Sequence, residues 1–120
     1  MIFISLGSNL GNRFDNLRQS VKLIEQRCLR NVQHSIIIET EAILPEYARN
    51  DWNKPFLNMV ICGEASLSPQ ELLTELKKIE KEIGRPEEYE RWSPRVIDLD
   101  ILLYDDLTVD TIDLKIPHPE

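Results

Sequence analysis

Two aspartates spaced two residues apart inside an apolar run are the residues of this chain most suited to chemistry. They are Asp98 and Asp100, in Val96-Ile97-Asp98-Leu99-Asp100-Ile101-Leu102-Leu103-Tyr104. In a strand, residues i and i+2 project from one face, so the two carboxylates stand roughly 6.6 Å apart along it. Two like charges at that distance repel by about 2.5 kcal/mol at an effective dielectric near 20. Aspartate is also a poor strand former. A cation between the carboxylates offsets both costs, and Mg²⁺ binds through one or two carboxylates plus substrate phosphates. Arg91 and Arg95 lie just upstream, in Arg91-Trp92-Ser93-Pro94-Arg95, where they could hold such phosphates. The competing reading is a solvated strand face. Val96, Ile97, Ile101, Leu102 and Leu103 argue against it, because they mark a mostly buried strand.

The rest of the composition bounds what this site can serve. The chain has 120 residues, 42% hydrophobic and 29% charged, which suits one globular domain with a single core. Its net charge of −7 argues against general nucleic-acid binding, which needs a basic surface. Against that acidic background Arg85, Arg91 and Arg95 form a local basic cluster, better matched to a small anionic ligand. No apolar run approaches the length that spans a membrane. Met1 to Gly7 lacks a basic leader and reads at once as a strand, so no signal peptide is expected. Cys28 and Cys62 lack metal-ligand spacing and read as buried thiols of a reducing, cytoplasmic protein.

A scaffold for the aspartates can be read along the chain. Ile2 to Leu6 is a short strand, broken by Gly7-Ser8-Asn9-Leu10-Gly11-Asn12. That turn does not fit the phosphate-binding pattern G-x-x-x-x-G-K-[ST], which occurs nowhere in the chain. A helix capped by Asn12 carries Leu17, Val21, Ile24 and Cys28 on one face. Ser35 to Glu39, with three consecutive isoleucines, reads as a strand. A long irregular stretch, 43–55, contains Leu44, Tyr47 and Trp52 and suits either a local staple on the core or a ligand lid. Phe56 to Glu64 is apolar on both faces except for Asn58, and therefore central. Ser68-Pro69-Gln70-Glu71 is a helix start with a capping box. Leu72, Leu76, Ile79 and Ile83 form that helix's buried stripe, and Gly84 ends it. After the aspartate strand, apolar patches at 107–109 and 112–116 suggest an edge strand or hairpin. The order β-α-β-β-α-β predicts an α+β fold, a ferredoxin-like sandwich with two helices on one face of an antiparallel sheet.

The motifs converge on one family. Gly7-Ser8-Asn9-Leu10-Gly11, Phe56-Leu57-Asn58, Gly84-Arg85, the run from Arg91 to Asp100, and Ile116-Pro117-His118 occur in sequence with sensible gaps. The chain resembles the 6-hydroxymethyl-7,8-dihydropterin pyrophosphokinase family of the folate pathway over essentially its whole length. The segment R-W-x-P-R-x-[IVL]-D-[IL]-D is the specific signal, and the glycine turn is only supportive. The resemblance implies a ferredoxin-like fold and transfer of pyrophosphate from ATP to the pterin hydroxymethyl oxygen, releasing AMP. It implies that Asp98 and Asp100 hold two Mg²⁺ ions, that Arg85, Arg95 and His118 contact phosphates, and that Arg91 and Trp92 belong to a catalytic loop. Leu73, Glu80 and Ile101 match positions on the adenosine side. For the pterin, Phe56 and Trp92 would stack on the two ring faces and Asn58 would bond the ring edge. Backbone of Ala42, Ile43 and Leu44 would help hold the ring, Gly7 and Ser8 would line the floor, and Asp98 would sit beside it.

Some positions depart from the family pattern. Glu87 stands where a second phosphate arginine is usual, Phe56 where some members have Tyr, and Asp113 and Lys115 where some have Arg and Thr. The 120 residues are expected to form one pyrophosphokinase domain without the family's C-terminal segment, which carries another phosphate arginine and an aromatic pterin contact. A fused folate-pathway domain is compatible with that. Two other classes stay open on sequence grounds. A non-catalytic nucleotide- or pterin-binding module is favoured by Glu87 and the short C-terminus. A metal-dependent nuclease has the carboxylates but lacks a basic track.

Overall fold

Alternation of apolar residues along three strands decides the architecture. In the computed structural model, which describes residues 1–42, 44, 53–85 and 93–119, the order is β1 (Ile2–Ser8), α1 (Arg13–Arg27), β2 (Arg30–His34), β3 (Ile38–Thr40), β4 (Phe56–Glu64), α2 (Pro69–Ile83), β5 (Asp98–Tyr104), β6 (Val109–Asp110) and β7 (Lys115–Ile116). The main sheet has the order β2-β4-β1-β5, with β3 also paired to β4, and its pairings are antiparallel. The fold is thus α+β with two helices and an antiparallel sheet. The two short strands β6 and β7 pair with each other as the hairpin that the C-terminal apolar patches suggest.

Register sorts the residues by face. Ile4 lies opposite Ile61 and Ile101, and Leu6 opposite Met59 and Leu99. These residues are buried together with Leu17 and Ile24 of α1 and Leu72, Leu76 and Ile79 of α2. Both helices pack on this face, α1 against β1 and β4, α2 against β5, and each against the other. Each buried aliphatic side chain here contributes about 1.5–3 kcal/mol over an exposed one. Local signals start and stop the helices as expected. The Asn12 side chain accepts from the Asp15 amide. Ser68 and Glu71 close a reciprocal capping box, and Gly84 ends α2 with a φ of 132°. Cys28 is buried, whereas Cys62 is only half-buried, and both are free thiols.

The edge of the sheet differs from expectation. The isoleucine run does not form one strand over 35–39. Pairing to β4 starts earlier, at Arg30, and is interrupted at 35–37. Ser35 fills the gap: its amide donates to the Val60 carbonyl, and its Oγ accepts from the Val60 amide at 2.9 Å, as a backbone carbonyl would. Ile36 is left 79% exposed, because an edge position there has nothing to pack against. Most of the stretch 43–55, including Tyr47 and Trp52, lies outside the described residues.

Candidate functional site

The sheet face away from the helices carries the other half of the alternation. Gly7 of β1 sits between Asn58 of β4 and Asp98 of β5, and Ser5 lies beside Asp100. These residues line a cavity of about 500 Å³, whose walls include Asn9, Ala42, Leu44, Phe56 and Arg95. A Cβ on Gly7 would meet Asn58 Oδ1 at 3.2 Å and the Phe56 ring at 3.4 Å. Glycine here leaves room for a flat group between Asn58 and the aspartates. The Asn58 amide donates to Thr40 Oγ1 at 2.6 Å, which fixes its orientation at the cavity edge.

Asp98 is held from two sides. Its Oδ1 accepts from Arg85 Nη1 at 2.8 Å and its Oδ2 from Arg95 Nη1 at 3.2 Å. The arginines differ in exposure. The Arg85 side chain is 7% exposed, and its Nη1 also donates to Glu80 Oε2 at 2.9 Å. The Arg95 side chain is 22% exposed and lines the cavity. Glu80 is buried, and the same Oε2 accepts from the Leu99 amide at 2.9 Å, so it pins both Arg85 and the backbone between the aspartates.

Among the described residues, Asp100 has no such pair of guanidiniums. Burial raises its carboxyl above the usual aspartate range, and the charge of Asp98 raises it further. His118 pulls the other way from 3.7 Å, and Lys77 also pulls it down, while Glu80 adds to the rise. Asp100 also lines a second cavity of about 250 Å³, formed with Leu73, Lys77, Ile101, Lys115 and His118. It therefore stands where the two cavities meet. No group of three or more His, Cys, Asp and Glu suited to a metal occurs among the described residues. A pair of carboxylates on one face suits a hard cation that takes its remaining ligands from phosphates and water, rather than from a closed protein cage. The donor set of two carboxylates on one face fits Mg²⁺ in that form.

The expected site residues are mostly brought together, with three exceptions among the described ones: Arg85, Ser8 and Glu80. Arg85, expected on the phosphates, is buried and lines neither cavity, its guanidinium holding Glu80 and Asp98 instead. Gly7, Ala42, Leu44, Phe56, Asn58, Arg95, Asp98 and Asp100 surround the larger cavity, and Leu73, Ile101 and His118 the smaller. Ser8 does not line the floor: it is fully buried, and its Oγ accepts from Asn16 Nδ2. Strand alternation turns it to the opposite face from Gly7. Glu80 lines neither cavity and acts instead through Arg85 and Leu99. Ile43, Arg91, Trp92 and Glu87 lie outside the described residues. Asn9 joins the site from the glycine-turn motif, and Ser5, Thr40 and Lys77 join it without a sequence signal of their own, except that Ser5 is the residue two before Gly7 on the same strand face. A wider, mainly apolar groove of about 840 Å³ lies along α1 at Phe14, Val21, Ile36 and Met59, away from the charged residues.

Comparison with known proteins places the chain among relatives of one family. The family model described as 7,8-dihydro-6-hydroxymethylpterin-pyrophosphokinase matches residues 3–120. The chain is 46% identical to a "Folate synthesis bifunctional protein" of Chlamydia caviae, covering 98% of this chain and 26% of that one. It is 39% identical to the "2-amino-4-hydroxy-6-hydroxymethyldihydropteridine pyrophosphokinase" of Aquifex aeolicus, covering 98% and 69%. It is 42% identical to the protein of that same name in Bacillus subtilis, covering 98% and 67%. The chain thus spans about a quarter of the length of the bifunctional relative. None of its helices is long and apolar enough to cross a membrane, among the described residues.

Proposed function

The chain belongs to the 7,8-dihydro-6-hydroxymethylpterin-pyrophosphokinase family, and from that membership we propose that it transfers pyrophosphate from ATP to 6-hydroxymethyl-7,8-dihydropterin, releasing AMP, as a step in folate biosynthesis. The observation that carries this reading is the position of Asp100, common to two cavities of unequal size and chemistry. The larger offers an aromatic face in Phe56 and an amide in Asn58, which suit a flat heterocycle with polar edges. The smaller offers aliphatic Leu73 and Ile101 beside Lys77 and His118, which suit a nucleoside with its phosphates directed at Asp100. In the reaction the hydroxymethyl oxygen bonds to the β-phosphorus, the bond to the bridging oxygen of the α-phosphate breaks, and AMP leaves.

Two Mg²⁺ ions, held by Asp98 and Asp100 with the phosphates, would supply charge neutralisation and orientation of the transferred group. The chain's own residues do the rest. Arg85 and Glu80 hold Asp98 and the Leu99 backbone rigid. Arg95, more exposed, presents a charge to phosphate, and His118 offers its ring to phosphate from the nucleotide side. Phe56 stacks on the pterin and Asn58 bonds its edge, with Ala42 and Leu44 alongside; the family resemblance adds Ile43. By the family resemblance, Arg91 and Trp92 are assigned to the catalytic loop, Trp92 with the second face of the pterin. Rate then comes from positioning and fixed charges, without a covalent intermediate. The strand order supports a ferredoxin-like description of the domain. The names of the longer relatives support a reading in which the domain works beside another folate-pathway activity.

Incubation with ATP, Mg²⁺ and the pterin, with products resolved by chromatography, tests the proposal. AMP and the pterin pyrophosphate should form in equal amounts, and only when all three are present. ADP as product, or AMP formed without pterin, would refute it.

A further inference from the structure

We propose that Asn9 is a positioning residue that couples the two sides of the larger cavity. Its side chain fixes the backbone of Arg95 on the phosphate side and of Lys54 on the pterin side. The inference rests on the function proposed above and adds a residue to it. In the sequence Asn9 belongs to an ordinary glycine turn. In the fold it is 4% exposed, with every polar group of its side chain directed at another segment. Its Oδ1 accepts from the Arg95 amide at 2.7 Å and its Nδ2 donates to the Lys54 carbonyl at 3.1 Å. Its own amide donates to the Arg95 carbonyl at 3.0 Å. One residue thus holds both backbone polar groups of Arg95 and the chain two residues before Phe56.

The chemistry explains the residue type. Asparagine offers a donor and an acceptor on one short planar group. Aspartate at the same place would keep the acceptor and lose the donor, and alanine would lose both. The bonds matter because each anchored backbone carries site residues. The guanidinium of Arg95 reaches Asp98 three residues on, and Lys54-Pro55 leads into Phe56 and Asn58. Arg13, from the start of α1, reinforces the second anchor by donating to the Pro55 carbonyl at 3.0 Å. A ligand that orders one side therefore orders the other through Asn9, and by linkage the effect is reciprocal.

Two readouts on the full chain test this, one free of ligand and one not. Amide hydrogen exchange of the ligand-free protein should show Asn9→Ala accelerating exchange at Arg95 and around residues 53–56 by about tenfold or more, with β1 and β4 unchanged. Asn9→Asp, the gentler variant should alanine disturb folding, should loosen 53–56 while Arg95 stays protected. Calorimetry should then show that a non-hydrolysable ATP analogue with Mg²⁺ strengthens pterin binding in the wild type. That enhancement should fall about tenfold in either variant. A role in packing alone would weaken both ligands alike and keep their ratio. An unchanged ratio, or unchanged exchange at Arg95 in Asn9→Ala, overturns the proposal. A wild-type chain that binds neither ligand overturns the function reading and the coupling with it, and the exchange data then separately decide whether Asn9 clamps the two segments.

Discussion

On the helix-facing side of β1 and β5, Ile4, Leu6, Leu99 and Ile101 are each no more than 3% exposed. One residue along the same strands, Ser5, Gly7, Asp98 and Asp100 line a cavity. Both faces share one backbone and one register, so the difference lies in side chains alone. The inner face gains stability by removing apolar area from water. The outer face gives up part of that stability to keep two carboxylates close, one satisfied by arginines and one left with its proton affinity raised. A rigid inner face lets the outer one hold charges that would otherwise relax apart. Activity and stability should therefore respond to changes on opposite faces.

The largest separation comes from the aspartates. Asp98→Ala or Asp100→Ala should lower turnover by about a thousandfold or more, with urea denaturation still a single cooperative transition. Near-wild-type turnover in either would remove the aspartates from the chemistry. Leu99→Ala lies between them and should do the reverse. It should cost about 2–5 kcal/mol of stability, with kcat per folded molecule within a few-fold of wild type. A kcat loss as large as that of the aspartate variants would mean that the faces are not separable. Gly7→Ala should be smaller, raising the pterin KM about tenfold, because its Cβ crowds Asn58 and Phe56. The KM for ATP should stay put, and equal rises in both would place Gly7 in general packing.

The smallest effect is on stability and its pH dependence. Asp100 has its carboxyl raised in the folded state by burial and by Asp98. Between the ordinary aspartate value and the raised one, the folded protein binds more protons than the unfolded. Stability therefore declines as pH rises through that window and is greatest below it, as far as this group is concerned. Asp100→Asn should lack the decline and be modestly more stable at neutral pH without Mg²⁺. Denaturation at a series of pH values checks this; an identical slope in the variant would mean that Asp100 carries no such cost.

How legible these faces are in sequence depends on the range of the interactions. α2 reads clearly because Ser68, Pro69, Glu71 and Gly84 act within one turn of its ends. Asp98 and Asp100 read as a pair because a period of two is local. The partners opposite them do not. Gly7, Asn58 and Ser5 reach the aspartates only through sheet register, which no stretch of sequence contains. Ser8 goes to the wrong face when it is grouped with its neighbour Gly7, against the alternation. Glu80 reads as a ligand-side residue on a helix face, yet its partners Arg85 and Leu99 come from beyond the helix. The edge strand is misplaced in the sequence because three isoleucines outweigh Arg30-Asn31-Val32-Gln33, whose pairing to β4 leaves no apolar pattern. The family motifs supply what periodicity cannot, namely which of the polar residues gather in one place.

The central claim is the proposal that Asp98 and Asp100 hold a cation between them, with Asp100 at the junction of the two cavities. Titration calorimetry with a non-hydrolysable ATP analogue, with and without Mg²⁺, tests it most directly when run on wild type and Asp100→Asn. Nucleotide binding that requires Mg²⁺ in the wild type and falls at least tenfold in the variant is the expected result. Equal nucleotide affinity with and without Mg²⁺, or unchanged binding in Asp100→Asn, would contradict the account.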